Sequence, residues 1–139
     1  MPEGRGGDAA LRALVRTVDG VFEVDLDEEV VLGSSLAEVE PEPVAVSLPL
    51  LVATAACGST VIAVVARRPP LAVSNDAGRT WREAGGGLPP GRAIAIADDD
   101  PDYVLFAARN RLYLSTNGGV FWRALTPELP EIEAVSLTA

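Results

Sequence analysis

Histidine and lysine are both absent from this sequence of 139 residues, and cysteine occurs once. Their absence excludes histidine-based catalytic triads, histidine metal sites and lysine Schiff bases. The single cysteine, Cys57, cannot form an internal disulfide, and it follows an apolar run from Leu51 to Ala56. We therefore expect Cys57 to be a small buried hydrophobic residue rather than a reactive thiol.

Long apolar runs are also missing, since none approaches the ~20 residues that span a bilayer. The first eight residues, Met1 to Asp8, lack the basic-then-apolar order of a secretory signal. These two absences predict a soluble, cytoplasmic protein.

Positive charge is scarce, because arginine supplies all of it and the formal net charge is −9. The segment from Thr17 to Glu42 contains no positive residue, and its acidic residues are Asp19, Glu23, Asp25, Asp27, Glu28, Glu29, Glu38, Glu40 and Glu42. Such a charge balance repels phosphate backbones. We expect neither nucleic-acid binding nor binding to an anionic membrane.

A repeat with an offset of 41 positions dominates the second half of the chain. The segment Ser74–Trp81 returns in altered form as Ser115–Trp122, and Ala93–Ala97 returns as Ala134–Thr138. Apolar runs separated by glycine, proline and asparagine predict four short strands in each unit. Several runs are continuously apolar, which is typical of strands covered on both faces.

The repeat divides the chain into a flexible tail at 1–9, a degenerate unit at about 10–47, two clear units at 48–90 and 91–130, and a terminal strand at 131–139. Two alignments of the degenerate unit remain open. Gly20–Glu23 aligns with Arg111–Leu114 as a third strand, or the offset of 41 places Val30–Ser34 over Leu71–Asn75. The first alignment, which we prefer, assigns strands two to four to the amino end, with the terminal strand completing that unit.

The repeated segment resembles the Asp-box of the bacterial neuraminidase-type repeat, which occurs in β-propellers. At the first box the matching residues are Ser74, Asp76, Gly78, Thr80 and Trp81; at the second, Ser115, Gly119 and Trp122 match, while Asn117 replaces the aspartate and Phe121 the threonine. The resemblance implies an all-β fold of propeller-type blades with four antiparallel strands each. It also implies that the box is a structural turn between the third and fourth strands, and that Trp81 and Trp122 pack in the blade core.

The blade count predicts assembly, because propellers close with about four to eight blades and this chain holds about three. An open array would leave apolar sheet faces and strand edges uncovered. We therefore expect a homodimer that closes a six-bladed ring. The alternatives are a trimer, another protein that supplies the missing blades, or a longer parent chain.

Four arginines are the candidate ligand-binding residues. The resemblance implies that the turns between second and third strands open opposite the boxes, and these turns carry Arg67, Arg68, Arg109 and Arg111. Guanidinium groups bind carboxylates in a bidentate manner. The plainer interpretation is that these arginines solvate turns or pair with acidic side chains.

The predicted function is a non-catalytic interaction or assembly platform, similar to intracellular propellers and to photosystem assembly factors built from related repeats. A lectin-like or anion-binding module is the alternative, and a glycoside hydrolase is the third interpretation. The sequence lacks the arginine signature of sialidases, and Tyr103 and Tyr113 lie in apolar strand patterns. Asp98–Asp102 lacks the spacing of a calcium loop, and we therefore predict no metal site. We also predict no catalytic residue and no cofactor.

Overall fold

The computed structural model describes residues 11–41 and 44–138, so the predicted tail at 1–9 lies outside the described residues. The described residues form twelve β-strands and no helix. The strands are β1 (Arg12–Thr17), β2 (Gly20–Asp25), β3 (Val30–Ser35), β4 (Leu51–Cys57), β5 (Thr60–Val65), β6 (Leu71–Ser74), β7 (Arg82–Ala84), β8 (Ala93–Ala97), β9 (Asp100–Ala107), β10 (Arg111–Ser115), β11 (Arg123–Glu128) and β12 (Ile132–Thr138).

These strands form three antiparallel sheets of four strands, which we call blades I, II and III. Their strand orders are β12-β1-β2-β3 in blade I, β4-β5-β6-β7 in blade II and β8-β9-β10-β11 in blade III. The predicted all-β fold of three propeller-like blades is therefore confirmed.

Blade I is built from both ends of the chain. Strand β12 pairs with β1, and Leu137 lies opposite Ala13 in that pairing. Strand β2, which begins at Gly20, is the third strand of the sheet. Of the two alignments that the sequence left open, the structure has the one that makes Gly20–Glu23 part of a third strand.

Blade III lies between the other two blades. Its first strand, β8, contacts both β12 of blade I and β4 of blade II, whereas no comparable strand contact joins blades I and II among the described residues. Two hydrophobic cores fill these contacts. One includes Val15, Leu105 and Leu137, and the other includes Ile62, Val73 and Phe106.

Strand β5 shows why continuous apolar runs occur in this fold. Ile62 and Val64 belong to the core shared with blade III. The alternate residues Val61, Ala63 and Val65 point to the opposite face of the sheet and are buried as well. Both faces of β5 are therefore covered, which explains its continuously apolar sequence.

A glycine controls the approach between blades II and III. A Cβ atom at Gly91 would lie 2.5 Å from the ring of Phe106 and 2.8 Å from a methyl carbon of Val64. Among the described residues, Phe106 is the largest side chain that is fully buried. The connection into β8 can therefore pass this ring only without a side chain at position 91.

Cys57 does not have the burial that we predicted, because it lies at the end of β4 and is half-buried. Its Sγ atom lies 3.5 Å from the carbonyl oxygen of Asp98 and donates a weak hydrogen bond to it. The side chain still packs at the margin of the core between blades II and III.

Candidate functional site

The four candidate arginines lie at equivalent connections of two neighbouring blades. Arg67 and Arg68 lie between β5 and β6, and Arg109 lies between β9 and β10, with Arg111 opening β10. Each connection joins the second strand of its blade to the third. We call this side of the molecule the arginine face.

Two adjoining depressions lie on the arginine face and share Pro89, Pro90 and Tyr113 as lining residues. The first has a volume of about 530 Å³ and is lined also by Arg92, Arg109 and Arg111. The second has a volume of about 820 Å³ and is lined also by Arg67, Arg68 and Pro70. The structure thus brings all four predicted arginines to two neighbouring clefts.

Most of these arginines have a carboxylate partner. Arg111 lies 3.3 Å from Glu128, Arg109 lies 3.9 Å from Glu131, and Arg67 lies 4.0 Å from Glu83. These ion pairs are exposed and individually weak, yet they offset much of the positive charge. For Arg68, the described part of the chain offers no ion-pair partner.

Arg92 and Glu131 are members of this face that the sequence reasoning missed. Their side chains form a 2.9 Å hydrogen-bonded ion pair. The hydrogen bond and charge of Arg92 hold the pKa of Glu131 below its usual range, and Arg109 adds to the effect. Arg92 and Glu131 both lie in connections between blades, whereas the candidates predicted from the sequence came only from the turns within blades.

A lowered pKa limits the chemistry that Glu131 can perform. A general acid has to be protonated near the operating pH, and Glu131 is held as a carboxylate. Tyr113, the tyrosine of these clefts, packs edge-on against Phe106 with ring centroids 5.9 Å apart. The clefts offer arginine guanidinium groups and the Tyr113 ring as possible contacts for a ligand.

The first box, at 74–81, is a closed hydrogen-bonded turn between β6 and β7. The Asp76 carboxylate accepts from the Thr80 hydroxyl at 2.6 Å, the Thr80 amide at 2.9 Å and the Arg79 amide at 3.1 Å. The Ser74 hydroxyl donates to the same carboxylate at 2.7 Å and accepts from the Gly78 amide at 2.8 Å. These bonds hold the pKa of Asp76 well below its usual range, with the Thr80 hydroxyl as the largest cause.

The second box, at 115–122, has nearly the same backbone and fewer bonds. The Asn117 side-chain oxygen accepts from the Phe121 amide at 3.0 Å and from the Ser115 hydroxyl at 2.9 Å. Gly78 and Gly119 share a φ of 90°, a left-handed conformation that favours glycine. The turn is therefore kept while the charged acceptor is lost.

The two tryptophans are less buried than we predicted. Both are half-exposed, and each lies just before the outer strand of its blade. Trp122 packs against the core between blades II and III, with its ring centroid 6.0 Å from that of Phe106. Its Nε1 atom also donates to the Gly119 carbonyl at 3.0 Å. Trp122 thus covers the edge of this core from the turn and does not fill the core.

The acidic run at 98–102 forms the turn into β9, where the Asp100 carboxylate accepts from the Asp102 amide at 3.0 Å. Within residues 11–41 and 44–138, no group of three or more cysteine, aspartate and glutamate residues is placed to hold a metal ion. In the same two ranges, no helix has the length and apolarity needed to cross a membrane.

Comparison with known proteins does not assign this chain to a family. The chain matches no protein-family model and no curated protein sequence.

Proposed function

We propose that this protein is a non-catalytic, propeller-type interaction module that assembles with a second copy of itself. The observation that carries the proposal is the position of blade III between blades I and II, which leaves blades I and II as the two ends of an open array. Because propellers close with about four to eight blades, two copies would supply a six-bladed ring.

The inner strand of blade II supports this mode of assembly. Within the chain, neighbouring blades meet through their first strands, as β8 does with β12 and β4. The first strand of blade II leaves Leu51 and Val52 exposed, and Leu50 just before it is exposed as well. A second copy would bury these side chains by placing its own β12 beside them.

Light scattering across a dilution series tests the proposal. We expect a mass near twice the 14.5 kDa of one chain, and Val52→Glu should reduce the mass to that of a monomer. Val120→Glu is the matched control, because Val120 is exposed on the second box and away from β4. A folded monomer at all concentrations, or equal loss of dimer in both variants, would overturn this mode of assembly.

The second candidate function is binding of a carboxylate ligand on the arginine face. It is favoured by Arg68, which lines the larger cleft with Tyr113 and has no carboxylate partner in the described part of the chain. Titration calorimetry with citrate and with glucuronate provides the test. If Arg68→Ala abolishes binding and the exposed control Arg82→Ala retains it, the result favours carboxylate binding over simple solvation of the turn. Failure to bind either acid would count against carboxylate binding.

A further inference from the structure

The outer strand of blade I differs from the outer strands of the other two blades. Strand β7 has three residues and two of them are charged, and β11 contains Arg123, Pro127 and Glu128. Short length, charge and proline all discourage pairing with a further strand. Strand β3 has six residues, Val30–Ser35, without charge or proline, and therefore lacks these three protections.

Strand β3 is also apolar and exposed. The exposed fractions are 45% for Val30, 40% for Val31 and 46% for Leu32. One side of β3 pairs with β2, and among the described residues no strand pairs with its other side, while β3 also contacts β11 of blade III. One β-bulge, where Glu23 pairs with Gly33 and Val24 with Val31, leaves Leu32 as the extra residue. The edge is thus an accessible template with a fixed irregularity at Leu32.

Both ends of this edge are negatively charged. Asp27 and Glu28 precede β3, and Glu38 follows it. Arginines neutralise Glu29 and Glu40 in this region, through Arg123 and Arg16. For Asp27, Glu28 and Glu38, the described part of the chain contains no arginine within ion-pair distance.

We propose that the β3 edge binds an extended segment of another protein, which has an apolar centre flanked by lysine or arginine and adds a fifth strand to blade I. Backbone hydrogen bonds would supply affinity in this mode, and side-chain contacts the preference. A second copy of this chain is the poorer occupant. Two β3 strands in either direction would bring acidic ends together, and like charges on paired strands are destabilising.

This inference goes beyond the proposed assembly, because the two use different strands. The assembly contact involves the inner strand β4, and the β3 edge lies at the opposite end of its sheet from the inner strand β12. Each can therefore fail without the other.

The probe is a fluorescent peptide of alternating valine and threonine with two arginines at each end. The comparison peptide has the same centre and carries glutamates in place of the arginines. Fluorescence anisotropy with the full chain should show that the arginine-flanked peptide binds at least about tenfold more tightly, a difference of about 1.4 kcal/mol. Its affinity should fall as salt rises, because exposed charges are screened.

Two variants place the binding on β3. Leu32→Lys puts a charge on the edge and should weaken binding by about tenfold or more, as charged residues do on protected edges. Val120→Lys is the matched control, because Val120 is likewise an exposed apolar residue and lies on the second box, outside β3. The double variant Glu28→Arg/Glu38→Arg should reverse the preference and favour the glutamate-flanked peptide. Light scattering should give the same mass for all of these variants.

Three results would overturn the proposal. The first is equal affinity for the two peptides, or absence of binding. The second is equal loss in Leu32→Lys and Val120→Lys. The third is a loss of dimer in Leu32→Lys alone, which would assign the β3 edge to a second copy of the chain.

Discussion

The two boxes form the same turn with different chemistry. In the first, the charged Asp76 carboxylate accepts hydrogen bonds from the Thr80 hydroxyl and from two backbone amides. In the second, Asn117 keeps one amide bond, and the side chain of Phe121 is 74% exposed where the first box has a threonine. The serine hydroxyl and the positive φ of the glycine are retained in both. The backbone of this turn therefore depends on the serine and the glycine, and the carboxylate strengthens a turn that exists without it.

The tryptophans should give the largest contrast between the boxes. We expect Trp122→Ala to lower the free energy of unfolding by roughly 3 kcal/mol, because it removes a ring that packs on Phe106. Trp81→Ala is the same substitution in the first box and should cost less, since the first box is held by more hydrogen bonds. Urea unfolding measures both values. Equal losses would mean that the two rings contribute alike.

Asp76→Asn should make the first box resemble the second. The substitution removes the charge that assists the bonds from the Thr80 hydroxyl and the two amides. We expect the melting temperature to fall by a few degrees, as measured by circular dichroism. Asp99→Asn, in the exposed turn before β9, is the control for loss of one negative charge. A melting temperature unchanged from that of the control would show that the carboxylate adds nothing to the turn.

Acid should affect the first box before it affects the second. The pKa of Asp76 is lowered in the folded chain, so its stabilising effect is complete above its unfolded pKa of about 4. That contribution is lost progressively as the pH falls below this value toward the folded pKa. Asp76→Asn should therefore show a weaker loss of stability between pH 4 and pH 2, as ~4 is the unfolded value from which the loss begins. Parallel acid-unfolding curves for the unsubstituted protein and Asp76→Asn would show that protonation of Asp76 does not cause the loss of stability.

Restoring the second box should give the smallest effect. Asn117→Asp alone gains a charged acceptor, but the Asp102 carboxylate lies near this turn, within 3.5 Å of the Cβ position of Gly118. We expect repulsion to offset most of the gain. Adding Phe121→Thr supplies a hydroxyl donor at the position of Thr80, and the double variant should melt slightly higher than Asn117→Asp. Thermal unfolding that ranks the double variant lower would contradict the comparison.

Local patterns in the sequence were sufficient for much of this fold. The offset of 41 and the apolar runs predict strands whose order recurs, because turn residues and alternation act over a few residues. The box positions follow from the same repeat. The pattern at Gly20–Glu23 even placed the third strand of the degenerate blade, which the structure has as β2.

Burial was less predictable than strand position, because it depends on which surfaces meet. Cys57 and both tryptophans, which lie at or beside strand ends, are only half-buried. Pairing of the arginine face with Glu83, Glu128 and Glu131 likewise joins residues from different strands and connections. No spacing along the chain encodes these distances.

The sequence by itself determined the repeat, the strands and the chemistry of each turn, because all of these depend on neighbouring residues. Only the tertiary structure decided that blade III lies between the others and that the apolar edge strand β3 is exposed. The physical reason is that blade packing and edge exposure depend on contacts between residues far apart in the chain, such as β12 with β1 and β8 with β4.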